Sequence, residues 1–211
     1  IKATSDAFDK AAEEIASKDI DTIIVITPHG PVFSDAIALF CESGIKGDMG
    51  GFNAPQVKYD QEINMPLTQK IMELAAEENI LTARITKANA RRYGIDFKLD
   101  HGTMVPLYFI NKKLSNYKLV HITYGMLPKL QLYRFGMCIR KAVKESDAKA
   151  VLIASGDLSH KLTADGPYGY APEGEAFDKE IISLLIKGDV PGVFNLAHTM
   201  IEKAAECGLR S

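Results

Sequence analysis

The chain has 211 residues, a formal net charge of -2, and 46% hydrophobic and 25% charged residues. That length suits one α/β domain whose core closes without disulfides or a structural metal. The near-neutral balance gives no broad basic face for nucleic acid, and no apolar run nears the roughly 20 residues that cross a bilayer.

Ala7, Phe8, Ala11, Ala12 and Ile15 recur at helical spacing, with Asp9, Lys10, Glu13 and Glu14 turned to water. Thr22-Ile23-Ile24-Val25-Ile26 is a β-branched run that predicts a strand buried on both faces. Gly44, Gly47, Gly50 and Gly51 form a cluster that is neither a phosphate loop nor a dinucleotide fingerprint. Asn64 predicts a helix cap with Pro66 just inside, and the helix runs to about Asn79. Further strands are predicted over Ile80–Ile85, Leu119–Thr123 and Ala150–Ala154. Helices are predicted from Pro128 to Glu145, from Glu175 to Ile186 and from Pro191 to Ala205. Alternating strands and helices imply a single α/β domain over residues 1–211, with a mainly parallel or mixed central sheet and helices on both faces.

Cys41, Cys138 and Cys207 are odd in number and widely spaced, forming neither a disulfide framework nor a CxxC site, so a reducing cytoplasm is the default compartment. Nothing at the start reads as a signal peptide. The chain opens at Ile1 inside a helical pattern and stops at Ser211 after a glycine-containing segment, so native residues are expected beyond both ends.

In sheets of this kind ligands bind beyond the carboxyl ends of the strands. His29, in Thr27-Pro28-His29-Gly30-Pro31, stands there on a stiff turn that suits a metal ligand, and equally a loop histidine bonded to a carbonyl. His160 follows the Ala150–Ala154 strand in Ser155-Gly156-Asp157-Leu158-Ser159-His160, so the two histidines are expected to converge on one crevice. Ser159-His160 lacks the nucleophile-elbow pattern, and imidazole at this place suits general acid/base work or a structural hydrogen bond. The long loop after it, with Tyr168 and Tyr170, reads as a lid or as a surface excursion. His101, in Asp100-His101-Gly102, is open between structural and functional roles. Gly102 there permits close approach, and Pro106 argues against a central strand. His121 lies inside a strand and His198 on an amphipathic helix, and both read as structural. Glu206 ends a helix that Gly208 would cap. Its carboxylate either joins a metal site or is solvated, and Cys207 reads as a small apolar residue.

Ile26-Thr27-Pro28-His29-Gly30-Pro31-Val32-Phe33-Ser34-Asp35, Leu99-Asp100-His101-Gly102-Thr103-Met104-Val105-Pro106-Leu107, Ser155-Gly156-Asp157-Leu158-Ser159-His160 and Glu206-Cys207-Gly208-Leu209-Arg210-Ser211 occur in this order. Together they resemble the subunit-B-like (LigB-like) class III extradiol ring-cleavage dioxygenases, in the branch associated with AMMECR1-type domains and related to Memo-like proteins. Each segment alone is weak; the four in order, over nearly the whole chain, are specific.

The resemblance implies extradiol cleavage of a catechol-type diol by dioxygen at a non-heme Fe(II), or another divalent metal, held by two histidines and a carboxylate. On it, His29 matches the second histidine ligand and Glu206 the carboxylate, while the first histidine falls before Ile1. Memo-like proteins carry a cysteine in the third-ligand region, so Cys207 competes with Glu206, which is favoured because a hard carboxylate suits Fe(II). His160 matches the acid/base histidine and His101 a second pocket histidine, with Tyr168 and Tyr170 on the substrate loop. The alternative implied is a non-catalytic, Memo-like metal-binding or interaction module. A metal-assisted hydrolase or redox protein using His29, His160 and Glu206 is a third reading. Expected partners are the aromatic diol, dioxygen, an AMMECR1-type domain or protein, and a second copy in a homodimer, the commonest assembly.

Overall fold

A computed structural model describes residues 2–211, which form two compact units, one ending at Ser155 (with Ser211 added) and one spanning Gly156–Arg210.

The first unit is built on a sheet. Strands β1 (Thr22–Thr27), β2 (Ile37–Phe40), β5 (Thr82–Ile85), β6 (Lys118–Thr123) and β7 (Ala150–Ala154) lie in the order β5-β2-β6-β1-β7. Pairings β6–β1, β1–β7 and β2–β5 are parallel, and β2–β6 is antiparallel, so the sheet is mixed and mostly parallel, as the sequence predicts. All six residues of β1 are buried, which matches its β-branched run. Its side chains alternate between two cores. Ile24 and Ile26 pack with Leu67 and Ile71 of α2 (Met65–Glu77) and Phe135 and Ile139 of α5 (Lys129–Lys144). Ile23 and Val25 pack with Ala12 of α1 (Lys2–Ala16) and Met104 and Leu107 of α4 (His101–Ile110). Helices therefore cover both faces.

Four features of this unit escape the periodicity. Strand β2 is only four residues long, and α3 (Lys87–Arg92) is a six-residue helix held by a Thr86/Asn89 capping box. The glycine cluster becomes a hairpin of β3 (Gly44–Met49) and β4 (Ala54–Glu62), joined through a 3₁₀ turn at Gly50–Phe52. The fourth is α4, which runs through Pro106. Proline has no N–H to give the carbonyl four residues back, that of Gly102. Ser155 Oγ fills the place, donating to the Gly102 carbonyl at 2.6 Å. The Asn64 cap forms as expected, accepting from Leu67 N at 3.1 Å.

The second unit contains α6 (Pro172–Lys187), α7 (Val190–Phe194) and α8 (His198–Ala204) around Phe177, Ile181, Leu184, Leu196 and Ala204. The helix expected from Pro191 to Ala205 is thus two short helices, broken where Leu196 turns into the core. Its end also differs from expectation: the left-handed cap is Ala205, at φ 53°, and not Gly208. No helix among the described residues is long and apolar enough to cross a membrane.

Candidate active site

In the first unit the carboxyl ends of β1, β6 and β7 share one edge of the sheet, with Thr27 level with Thr123 and Ile26 level with Ala154. His29 leaves that edge two residues past β1 and is exposed. Its imidazole stacks on His101, with centroids 3.9 Å apart and planes inclined by 29°. His101 is the first residue of α4, and the Phe52 ring of the hairpin turn lies 5.0 Å from it, centroid to centroid. Gly102 permits this approach: a Cβ there would stand 2.5 Å from Thr27 Oγ1 and 3.0 Å from His29 Cδ2.

Behind the two histidines lies a buried polar group. Asp100 caps α4, accepting from Thr103 N at 3.1 Å, and also accepts from Thr27 Oγ1 at 2.6 Å and His121 Nε2 at 3.0 Å. Burial pushes the Asp100 carboxyl up, but the hydrogen bond and charge of His121, with the bonds from Thr27 and Thr103, outweigh it and hold the group at about 2. His121 is fully buried in β6 and packs on Phe40 at 4.4 Å.

In the second unit His160 is half-buried. Its Nδ1 bonds the Ala205 carbonyl, so the Nδ1–H is the donor there and Nε2 is the nitrogen turned to other partners. Nε2 stands 3.3 Å from Asp157 Oδ2, and Tyr168 lies over the ring at 4.7 Å. Cys207 joins them, its Sγ accepting from Asp157 N at 3.1 Å. The donor atoms of Asp157, His160 and Cys207 all fall within 4.8 Å of one another, a grouping that could hold a metal ion once the side chains draw closer. A histidine that gives its other N–H to a backbone carbonyl is also the usual form of a metal ligand. Burial raises the Cys207 thiol, against the lowering effect of the Asp157 amide. Gly156 makes the cluster possible: its φ is 153°, and a Cβ would come within 2.2 Å of Gly208 Cα.

The structure thus pairs His29 with His101, and His160 with Tyr168. The Glu206 carboxylate instead accepts from Leu209 N at 2.6 Å, bracing the turn after α8. Tyr170 is exposed, and its backbone bridges to Leu162. His198 is a surface residue paired with Glu202 at 3.2 Å. Sequence reasoning missed Asp100, Asp157 and Phe52. The two aspartates had a signal, each lying within three residues of a histidine already singled out; Phe52 had none.

A profile described as the catalytic LigB subunit of aromatic ring-opening dioxygenase matches residues 1–211. The chain belongs to the LigB family. It is 50% identical over its whole length to a Clostridium acetobutylicum protein, of which it spans 45%. A MEMO1 family protein of Methanococcoides burtonii is 26% identical over 94% of the chain and 79% of that relative. The 3,4-dihydroxyphenylacetate 2,3-dioxygenase of Escherichia coli is 24% identical over 95% of the chain and 72% of the enzyme. This LigB chain is therefore related both to a dioxygenase and to MEMO1 family proteins.

Proposed function

We propose that this LigB chain carries the catalytic domain of a metal-dependent extradiol dioxygenase that opens a catechol-type ring with dioxygen. The observation that carries the reading is His160, whose Nδ1 is tied to a carbonyl while Nε2 faces Asp157 and lies under Tyr168. With Nδ1–H committed to the carbonyl, Nε2 is the nitrogen through which the ring would exchange a proton with a substrate hydroxyl, and Asp157 Oδ2 would stabilise the protonated form.

Fe(II), or another divalent cation, would have His29 and Glu206 among its ligands. When bound, it supplies a Lewis-acid centre with open positions for a diol and dioxygen. His101, stacked on His29, limits the ring positions open to that residue and would line the pocket beside it. The exposed Tyr168 and Tyr170 give the loop aromatic surface for a planar substrate.

A second reading, a Memo-like metal-binding or interaction module without turnover, is favoured by one observation. Cys207, not Glu206, offers its donor atom beside His160 and Asp157. A thiol there suits softer metals more than a dioxygenase iron.

The deciding experiment takes the full-length protein, loads it anaerobically with Fe(II), and offers a panel of catechols with dioxygen. Oxygen uptake with a yellow ring-opened product supports the dioxygenase. Stoichiometric iron with no turnover of any catechol supports the module. An AMMECR1-type partner and a homodimer are read in the same preparation, by co-purification and by light scattering.

A further inference from the structure

Capping a helix requires one acceptor, yet the Asp100 carboxylate takes hydrogen bonds from three segments. Oδ1 accepts from Thr103 N at 3.1 Å and Thr27 Oγ1 at 2.6 Å; Oδ2 accepts from His121 Nε2 at 3.0 Å and Thr103 Oγ1 at 3.4 Å. Only a carboxylate offers enough lone pairs for all four.

His121 is a donor of fixed orientation. Its Nδ1 has no partner among the described residues, so Nε2 is the ring nitrogen placed to donate, and it donates to Asp100. Thr27 is fully buried, and Asp100 draws its hydroxyl proton, which turns the oxygen lone pairs away from the carboxylate. One of those lone pairs accepts the His29 amide at 3.2 Å. His101 follows Asp100 directly in the chain and begins the helix that Asp100 caps.

We propose that Asp100 is the positioning residue for both stacked histidines, acting on His29 through the Thr27 hydroxyl and on His101 through the start of α4, with His121 holding its second oxygen. The proposal rests on the reading of His29 and His101 as pocket residues. It assigns no contact with substrate to Asp100.

The test uses metal-free protein with isotope-labelled histidines, so that it reads geometry whether or not the chain turns over a catechol. Ring-to-ring nuclear Overhauser contacts between His29 and His101 are compared in wild type, Asp100→Asn, Thr27→Val and Thr27→Ser. The contact is expected to weaken in Asp100→Asn and Thr27→Val and to persist in Thr27→Ser, which keeps the hydroxyl. If the loaded wild type is active, Asp100→Asn should also lower kcat about 10–100-fold, as the loss of a ligand's outer partner typically does. An unchanged contact in both Asp100→Asn and Thr27→Val, with only a lower melting temperature, would make Asp100 a structural cap and overturn the proposal. Loss of the contact in Thr27→Ser as well would trace the effect to the threonine methyl and overturn the hydroxyl relay. Should Asp100→Asn fail to fold, the two Thr27 variants decide. An inactive wild type with the expected ring contacts would sink the dioxygenase reading alone.

Discussion

Ser155 donates its hydroxyl proton to the Gly102 carbonyl at 2.6 Å, and this bond joins the end of β7 to the first turn of α4. It exists because Pro106 leaves that carbonyl without its helical partner. The first turn of α4, where His101 stacks on His29, is thereby tied to the end of β7. Four expectations follow from the geometry around these residues.

Gly102→Ala should destabilise the protein by about 1–3 kcal/mol, the usual effect of forcing a methyl into filled space. The added carbon would meet Thr27 Oγ1 at 2.5 Å, and that oxygen is pinned by Asp100. Denaturant unfolding would measure the loss. A midpoint equal to wild type would mean that the β1 and α4 ends separate easily.

The two histidines assigned different work should fail differently. His29→Ala should lose bound iron, since its role is ligation, whereas His160→Ala should keep iron and lose about 100-fold or more in turnover. Metal content by mass spectrometry and oxygen uptake separate the two. Iron lost from His160→Ala would move His160 into the ligand set, where its Nδ1 bond to Ala205 would also suit it.

Glu206 and Cys207 compete for one role, and paired variants distinguish them. On the dioxygenase reading, Glu206→Gln should weaken Fe(II) binding and Cys207→Ser should leave it near wild type. The reverse order would follow from the cluster of Asp157, His160 and Cys207. Anaerobic titration of iron into each variant gives the answer.

Asp100 should impose an acid limit on stability. Its folded value of about 2 lies below the ordinary 3.8, so its contribution is complete above about pH 4 and is lost as pH falls through 2. At roughly 1.4 kcal/mol per unit, the contribution is about 2 kcal/mol. The gap in unfolding free energy between wild type and Asp100→Asn should narrow by that amount from pH 5 to pH 2. A gap that stays constant would show the carboxylate to be no better solvated in the fold than in the unfolded chain.

Much of this molecule is written in its sequence. The short apolar runs at Thr22–Ile26, Leu119–Thr123 and Ala150–Ala154 predict three adjacent strands, of which β1 and β6 are buried and β7 is partly exposed at the sheet edge. The apolar spacing of α1, α2, α5 and α6 predicts helices. His29 and His160 stood out because each follows a predicted strand at the sheet's ligand-binding edge, and His101 through the family resemblance of its segment. Tertiary structure alone decided the rest. Helix α4 needs Ser155, distant in sequence, to satisfy the carbonyl that Pro106 abandons. Asp100 becomes a hub only when β1 and β6 bring Thr27 and His121 to it. The direction of Cys207 follows from the left-handed turn at Ala205 and from the Gly156–Gly208 approach, neither of which local propensity encodes. Local spacing sets which face a residue occupies, whereas side-chain partners from remote segments set what that residue can do.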